Sequence, residues 1–196
     1  MIEVFNIKKG LFFGILDLGA FSLERGLSAK RDIETQGKLY LLEQLLDNKA
    51  IGLIYDEKGK PHLANDTRHI SLSHSHDKLA MIINEREPTG IDIELIRDKV
   101  LRIRHKFLSA PELAETGDDV EKLLIYWAAK ETLYKIYGLK EVDFVTHLFV
   151  RPFQKHHLGT IIGEINLPAF KKSFELNYQS IDHYILVYAL SESSLA

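Results

Sequence analysis

Residues 90–95 read GIDIEL, with an acid at every second position between apolar residues. Because residues i and i+2 of a strand share a face, Asp92 and Glu94 are predicted to point one way while Ile91 and Ile93 point into the core. Adjacent carboxylates repel each other, and a divalent cation, which prefers oxygen ligands, relieves that repulsion. The same alternation is typical of an edge strand with a solvated acidic face, so the hexapeptide alone leaves both interpretations open.

A second charged pattern lies on the long helix that is predicted to end at Gly138. Trp127, Glu131 and Lys135 are spaced i, i+4 and i+8, so they form one stripe along this helix. The stripe fits a surface Glu–Lys pair beside a partly buried Trp. It also fits a third metal ligand at Glu131 with a phosphate-binding or proton-transferring group at Lys135.

Serine recurs at every second position of residues 70–76, ISLSHSH, and alternates with Leu72 and His74 at strand spacing. Four histidines within residues 62–76 make zinc conceivable, but their spacing matches no recognised set of zinc ligands and the chain has no cysteine. A histidine at the end of a strand otherwise serves as a hydrogen-bonded structural residue or as a donor to phosphate.

Basic residues follow the acidic stretch directly, at Arg97, Lys99, Arg102 and Lys106. Residues 100–108 are predicted to be helical, with Lys99, Arg102 and Lys106 on one face and apolar residues on another. This pattern indicates either a solvated amphipathic helix or a docking face that helps to orient an acidic partner.

The composition is that of an ordinary globular protein: 196 residues, 45% hydrophobic and 27% charged, with a net charge of −3. There is no overall basic bias toward nucleic acid, no apolar run long enough to span a membrane and no signal-peptide pattern. The absence of cysteine excludes disulfides and thiol chemistry and fits a reducing compartment. We therefore expect a cytoplasmic protein that binds neither nucleic acid nor membranes.

Strand and helix signals recur in two sets along the chain, which predicts an α+β fold. The first set centres on a helix over residues 29–46 and the second on the helix that ends at Gly138. We expect an N-terminal half over residues 1–97, which ends with the strand of Asp92 and Glu94, and a C-terminal half over residues 98–196, which carries Glu131 and Lys135.

Taken together, the order and spacing of these patterns resemble the 4′-phosphopantetheinyl transferase superfamily, in the two-lobed layout. The matching residues are Lys60-Pro61-His62, Ser71-x-Ser73-His74-Ser75, Gly90-x-Asp92-x-Glu94, Phe107 with Glu112, and Trp127-x-x-Lys130-Glu131-x-x-x-Lys135. The resemblance implies two similar halves related by a pseudo-twofold, each an antiparallel sheet with a main helix. It implies an active site between these halves, and hence a monomer.

The resemblance also implies roles for individual residues. Asp92, Glu94 and Glu131 match the magnesium-binding carboxylates of the family, and Glu112, Glu131 and Lys135 match its catalytic residues. The residues that match its coenzyme A-binding positions are Arg31, Lys38, Lys60, Pro61, Ser73 and His74.

The reaction implied is that of a holo-[acyl-carrier-protein] synthase. It transfers 4′-phosphopantetheine from coenzyme A to a serine of an apo acyl or peptidyl carrier protein and releases adenosine 3′,5′-bisphosphate. Magnesium would neutralise charge on the phosphate oxygens, Glu112 is one candidate acceptor for the serine proton, and Lys135 would stabilise the leaving phosphate. The carrier, whether from fatty-acid or secondary-metabolite biosynthesis, would dock near Arg97, Lys99, Arg102 and Lys106.

Two other functions remain open at this stage because a fold does not settle a function. One is a non-catalytic module that binds coenzyme A or a nucleotide on the same fold. The other is a metal-independent interaction protein whose acids are surface residues. Loss of a metal carboxylate or of Lys135 would favour the first, and the sequence retains all of them.

Overall fold

The computed structural model describes residues 1–139 and 141–192. The chain forms two compact units, Met1–Thr89 and Gly90–Ala196. The division falls before the expected boundary near Arg97, because the strand of Asp92 and Glu94 pairs within the sheet of the second unit. No helix in residues 1–139 or 141–192 is long and apolar enough to cross a membrane.

The first unit contains six strands and two helices: β1 (Ile2–Lys8), β2 (Leu11–Asp17), α1 (Leu18–Arg25), α2 (Lys30–Leu46), β3 (Leu53–Tyr55), β4 (Pro61–Leu63), β5 (His69–Ser75) and β6 (Lys78–Asn84). Four strands form an antiparallel sheet in the order β1-β2-β6-β5, and β3 and β4 form a separate hairpin. Helices α1 and α2 pack on this sheet through a core that includes Leu16, Phe21, Leu41, Leu42 and Met81.

Helix α2 runs without a break through Gly37, although glycine weakens a helix interior. A Cβ at this position would lie 2.6 Å from Cδ2 of Leu18. Glycine therefore lets α2 pack closely against the start of α1, and this packing offsets its low helix propensity.

The described residues of the second unit form five strands and three α-helices: β7 (Ile91–Leu95), α3 (Lys99–Ile103), α4 (Ala110–Thr116), α5 (Val120–Tyr137), β8 (Leu148–Val150), β9 (Leu158–Leu167), β10 (Phe170–Ile181) and β11 (Tyr184–Glu192). The strands form one antiparallel sheet in the order β7-β11-β10-β9-β8. Helix α5 packs across this sheet. The core between them includes Leu123, Tyr126 and Leu133 of the helix and Leu176 and Val187 of the sheet.

Local signals fix both ends of α5: the sequence offers Asp118 or Asp119 as the cap at its start and Gly138 as its end, and the structure uses Asp119 and Gly138. The Asp119 side chain accepts a hydrogen bond from the Lys122 backbone N–H at 3.0 Å. Gly138 adopts a φ of 68° and donates its N–H to the Tyr134 carbonyl oxygen. An N-cap of this kind contributes about 1 kcal/mol to helix stability.

The α+β class with antiparallel sheets is confirmed, and so is the assignment of a main helix to each unit. The pseudo-twofold, and a site between the units, stay predictions. Two predicted elements are shorter in the structure. The basic helix ends at Ile103 and continues as a 3₁₀ turn over Arg104–Lys106, so Lys106 does not continue the α-helical face of Lys99 and Arg102.

The second is a strand: the sequence over residues 142–150 has a strand-like pattern, but only β8 at Leu148–Val150 is strand. The residues before it form a turn, because Oδ1 of Asp143 accepts from the N–H groups of Val145 and Thr146 and from the Thr146 hydroxyl. Helix α1 was not predicted. Asp17 begins it by accepting from the Ala20 N–H at 2.8 Å.

Candidate active site

A glycine immediately before β7 lies against the backbone of helix α5. A Cβ at Gly90 would come within 2.3 Å of the carbonyl oxygen of Thr132. Real Cβ atoms do not approach an oxygen this closely, so only glycine permits the observed spacing of strand and helix. The Thr132 hydroxyl adds a link to the same sheet by donating to the Val187 carbonyl oxygen at 3.2 Å. The acidic stretch of β7 is therefore held directly beside α5.

Asp92 is buried, with 3% of its surface exposed, and forms an ion pair with α5. Nζ of Lys135 lies 2.7 Å from Oδ1 of Asp92 and also donates to the Ile91 carbonyl oxygen at 2.9 Å. A carboxylate on a solvated face would be exposed to water, whereas Asp92 is buried and paired with an ammonium group. That alternative interpretation of the GIDIEL stretch is therefore wrong for Asp92.

Glu94, two residues along the same face of β7, also contacts α5. The indole Nε1–H of Trp127 donates to Oε1 of Glu94 at 2.8 Å. The Trp127 ring lies between Phe107, at 5.0 Å edge-on, and Phe144, at 5.7 Å in a stacked arrangement. Trp127 and Lys135 thus reach the two acids of β7 from opposite ends of the predicted stripe.

Glu131 occupies the middle of that stripe, and its carboxyl pKa is strongly perturbed. Its pKa is raised from 4.5 to about 7, chiefly by burial and then by the negative charge of Asp92, with a further increase from Glu94. Lys135 acts in the opposite direction by favouring the charged form. The carboxylates of Asp92 and Glu94 therefore both disfavour the charged form of Glu131.

This donor set suits magnesium in its chemistry. All three side chains offer hard oxygen ligands, and a divalent cation among them would relieve the repulsion that raises the pKa of Glu131. Within residues 1–139 and 141–192, no three Asp, Glu or His side chains already converge as metal ligands. The carboxylates would therefore have to turn toward a common point to bind the ion.

Glu112, expected to be catalytic, lies in a separate buried network. Its Oε2 accepts from the N–H and the hydroxyl of Ser109, both at 2.8 Å, and from Nζ of Lys130 at 2.7 Å. Its Oε1 accepts from the Val150 N–H at 3.0 Å. A carboxylate held by four donors and 5% exposed stabilises the framework, and the role of Glu112 as a proton acceptor stays a prediction.

Lys130, the partner of Glu112, has no exposed surface, and no role was predicted for it from the sequence although it belongs to the matching motif. Its Nζ donates to the carbonyl oxygens of Phe107 and Phe144 as well as to Glu112, which uses all three of its N–H groups. Burial lowers the pKa of Lys130, while Glu112 opposes that change. The network ties α5 to the start of α4 and to the turn before β8.

A periodicity argument could have identified Lys130. It lies three and four residues from Leu133 and Tyr126, on the apolar side of α5. A lysine at a buried position requires an acidic partner, and Glu112 in the capping box of α4 is a candidate that the sequence offers.

The residues expected to bind coenzyme A lie in the first unit, on helix α2, beside and on strand β4, and on strand β5. Arg31, Glu34 and Lys38 share a face of α2, because they are spaced i, i+3 and i+7. Nε2 of His74, on β5 beside Ser73, lies 3.5 Å from Oε1 of Glu34. Glu34 was not predicted from the sequence.

Lys38 extends this group toward the β3–β4 hairpin. Its Nζ lies 5.9 Å from the centre of the Tyr55 ring, and Tyr55 pairs with Pro61 across the hairpin. Lys60 precedes Pro61, and burial lowers the pKa of its ammonium, opposed by Asp56. The first unit therefore places Lys38 close to the Lys60–Pro61 loop.

The four basic residues expected to face a carrier are all exposed: Arg97, Lys99, Arg102 and Lys106. Arg97 and Lys99 line a cavity of about 240 Å³ whose apolar walls include Val100, Ile103 and Leu124. Glu94 and Trp127 also line this cavity. A basic and partly apolar surface thus adjoins the acidic group on β7.

Comparison with known protein families places these features in context. A family model described as the 4′-phosphopantetheinyl transferase superfamily matches residues 88–189. The match covers Gly90, the acids of β7 and the whole of α5. No curated protein matches the chain significantly.

Proposed function

The chain belongs to the 4′-phosphopantetheinyl transferase superfamily, and on this basis we propose that it transfers 4′-phosphopantetheine from coenzyme A to a serine of an apo carrier protein, in a magnesium-dependent reaction. In this reaction a bond forms between the serine oxygen and the phosphorus of the phosphopantetheine phosphate. The bond from that phosphorus to the bridging oxygen of the diphosphate breaks, and adenosine 3′,5′-bisphosphate leaves with the electron pair of that bond. The serine hydroxyl gives up its proton to a base, for which Glu112 and water are the candidates.

The observation that carries the proposal is the charged group that α5 and β7 form together. Asp92 and Glu94 both contact α5, and Glu131 carries a pKa raised to about 7 between them and Lys135. Perturbed groups of this kind are concentrated at functional sites. Here they lie within the residues that the family model matches, which favours the enzyme over a surface interaction protein.

Asp92, Glu94 and Glu131 would hold the magnesium ion. When bound, the ion would neutralise the negative charge that develops on the phosphate oxygens. Lys135 contributes a fixed positive charge on the same face, because its ammonium is anchored by Asp92 and by the Ile91 carbonyl oxygen. A cation that is already in place stabilises the departing phosphate without a reorganisation cost.

The first unit would bind the nucleotide part of coenzyme A. Arg31, Lys38 and Lys60 supply positive charge for phosphate, and Ser73 and His74 supply hydrogen-bond donors. Pro61 fixes the backbone of the loop that follows Lys60. The contact between Lys38 and the β3–β4 hairpin supports a shared role for these residues.

The carrier protein would dock on Arg97, Lys99, Arg102 and Lys106. These side chains are exposed, and the described part of the chain offers them no acidic partner within ion-pair distance. The cavity beside Arg97 and Lys99 is continuous with Glu94, so a partner bound there lies next to the proposed metal site. Charged rims of this kind mainly increase the rate of encounter.

The decisive experiment is mass spectrometry of an apo carrier protein after incubation with the enzyme, coenzyme A and magnesium. The proposal predicts a gain of one phosphopantetheine group, which is lost when EDTA replaces magnesium. Asp92→Ala should lower turnover by at least about 100-fold, the scale of losing an electrostatic stabiliser. Glu164→Gln, which removes a carboxylate from a partly exposed ion pair with Arg151, is the matched control.

Coenzyme A binding without any transfer would support the non-catalytic module instead. To make that outcome informative, several apo carriers of the acyl and peptidyl classes should be tried together with calorimetric titration of coenzyme A. Transfer that continues unchanged in EDTA, or in the Asp92→Ala enzyme, would contradict the assigned metal site.

A further inference from the structure

Trp127 is the one tryptophan of the chain, and its indole is bonded to an acid of β7. The Nε1–H group donates to Oε1 of Glu94 over 2.8 Å, although the residues are 33 positions apart. An indole can only donate, so it binds the carboxylate and could not itself ligate a metal. The contact therefore affects the orientation of the Glu94 carboxylate and takes no direct part in the reaction.

The indole is held firmly in its orientation. Phe107, which has no exposed surface, contacts it edge-on at 5.0 Å, and Phe144 stacks on it at 5.7 Å. The backbone carbonyl oxygens of these same two phenylalanines accept from Lys130 on the adjacent part of α5. Rings and backbone thus enclose Trp127 from two sides, and its N–H direction is fixed before any ligand arrives.

We propose that Trp127 is a positioning residue for Glu94: its N–H group holds one carboxylate oxygen and so restricts how the Glu94 side chain turns toward a divalent cation shared with Asp92 and Glu131. The inference rests on the proposed function for the identity of that site. Donors that orient a metal-binding side chain commonly contribute about 10–100-fold to metal affinity.

The proposal separates two roles that Trp127 could play. A purely structural Trp127 would matter for packing between Phe107 and Phe144, and phenylalanine would replace it with little change in metal affinity. A positioning Trp127 needs its N–H group, which phenylalanine lacks. Trp127→Phe keeps an aromatic ring at this place and removes the donor.

The test is a double-mutant cycle on metal binding, with Mn²⁺ alone as the probe and no coenzyme A or carrier present. Calorimetry or electron paramagnetic resonance gives the dissociation constant for the wild type, Trp127→Phe, Glu94→Ala and the double variant. We expect Trp127→Phe to weaken Mn²⁺ binding about 10-fold and to have no further effect when Glu94 is already alanine.

Tyr126→Phe is the matched control. Tyr126 is the preceding residue of α5, is fully buried, and its hydroxyl makes no hydrogen bond within the described residues. The Tyr126→Phe variant loses one polar group from a buried ring and keeps the contacts of Glu94. The Mn²⁺ affinity of this variant should therefore stay within about twofold of the wild type. An unchanged affinity in Trp127→Phe, or the same loss with and without Glu94, would overturn the proposal.

A second measurement needs no tryptophan variant. The single indole N–H cross-peak in a ¹H–¹⁵N spectrum reports the bond directly, and it should move upfield in Glu94→Ala and shift when Mg²⁺ is added to the wild type. A cross-peak that is the same in both proteins would overturn the proposal. So would a wild type that binds no divalent cation, and the transfer assay in EDTA would then show separately whether the enzymatic activity itself persists.

Discussion

Lys135 on α5 and Asp92 on β7 are joined by an ion pair of 2.7 Å across 43 residues of sequence. Asp92 is buried, whereas the Lys135 side chain keeps about a quarter of its surface in solvent, at 23%. The pair therefore serves the fold and the proposed chemistry at once. It neutralises a buried carboxylate in the resting protein and leaves part of the ammonium accessible to an anion.

Removal of this lysine should affect stability and activity together. Lys135→Ala takes the ammonium from a buried carboxylate, and we expect a loss of about 1–3 kcal/mol in the free energy of unfolding. Turnover should fall by at least about 100-fold, because a cation next to the transferred phosphate is lost. Urea denaturation and the carrier assay measure the two effects.

Lys172→Ala is the control for this experiment. Lys172 and Glu192 form an exposed ion pair at 2.6 Å, and its removal should change the free energy of unfolding by less than about 1 kcal/mol. Equal losses in the two variants would show that the Lys135–Asp92 pair has no special role in stability.

The raised pKa of Glu131 predicts a pH dependence of stability. The folded protein holds a proton on Glu131 up to a pH of about 7, while the unfolded chain releases it near 4.5. The folded state therefore binds more protons in this interval, and stability falls as the pH rises through it. At about one pH unit above 7 and beyond, Glu131 is ionised in both states and the penalty no longer changes.

Glu131→Gln should remove that penalty. In EDTA, its Tm should equal that of the wild type near pH 4.5 and exceed it by a few degrees at pH 8. The same variant should lose transfer activity, since a proposed metal ligand is gone. Glu164→Gln should show no such divergence with pH, and a constant difference between Glu131→Gln and the wild type would mean that the Glu131 pKa is ordinary.

The exposed basic residues should matter for the carrier and not for coenzyme A. Reversing the charges of Arg102 and Lys106 to Glu should raise KM for the carrier roughly 10-fold at low salt and flatten its salt dependence. Lys171 and Lys172, which lie on β10, provide a control with the same change in net charge. A raised KM for coenzyme A with an unchanged KM for the carrier would assign this surface to the nucleotide.

Lys38 tests the nucleotide side of the proposal. The 3′-phosphate of coenzyme A is remote from the reacting phosphorus, so a cation that contacts it adds binding energy without favouring the transition state. Lys38→Ala should raise KM for coenzyme A several-fold, keep kcat nearly unchanged and leave dephospho-coenzyme A unaffected. Equal effects on the two substrates, or none, would reject the assignment.

The buried pair of Lys130 and Glu112 should be costly to break and cheaper to replace as a whole. Lys130→Met leaves a buried carboxylate without its cation, which costs about 3–5 kcal/mol. Adding Glu112→Gln should recover part of that loss, because the remaining amide needs no counter-charge. A double variant as unstable as the sum of the single ones would show that the two residues act independently, and thermal unfolding of all three proteins decides this.

The sequence predicted the charged stripe of α5 well because helical spacing is regular. Trp127 and Lys135 reach the acids of β7 as the i, i+8 interval implies. The ends of α5 were equally predictable from the sequence, since Asp119 and Gly138 act through local geometry alone. These features depend on residues near one another in the chain, where pattern and structure are closely linked.

Other features depended on tertiary contacts that no local pattern contains. Glu112 matched a catalytic position, but its four donors come from Ser109, Lys130 and Val150, which spacing alone does not bring together. The shortened basic helix likewise reflects a chain that turns so that Phe107 is fully buried. The sequence therefore shows which residue type stands at a position more readily than how many hydrogen-bond partners that residue has in the fold.

Gly90 carries no functional group, yet its missing side chain sets the separation between the residues that do. A methyl group there would meet the Thr132 carbonyl oxygen at 2.3 Å and force β7 away from α5. The displaced strand carries Asp92 and Glu94, while the helix carries Glu131 and Lys135. In a mutational scan scored by activity, Gly90 would thus be as intolerant of substitution as Asp92 and Glu94. Only a direct measurement of metal binding would distinguish a residue that sets the spacing from one that binds the ion.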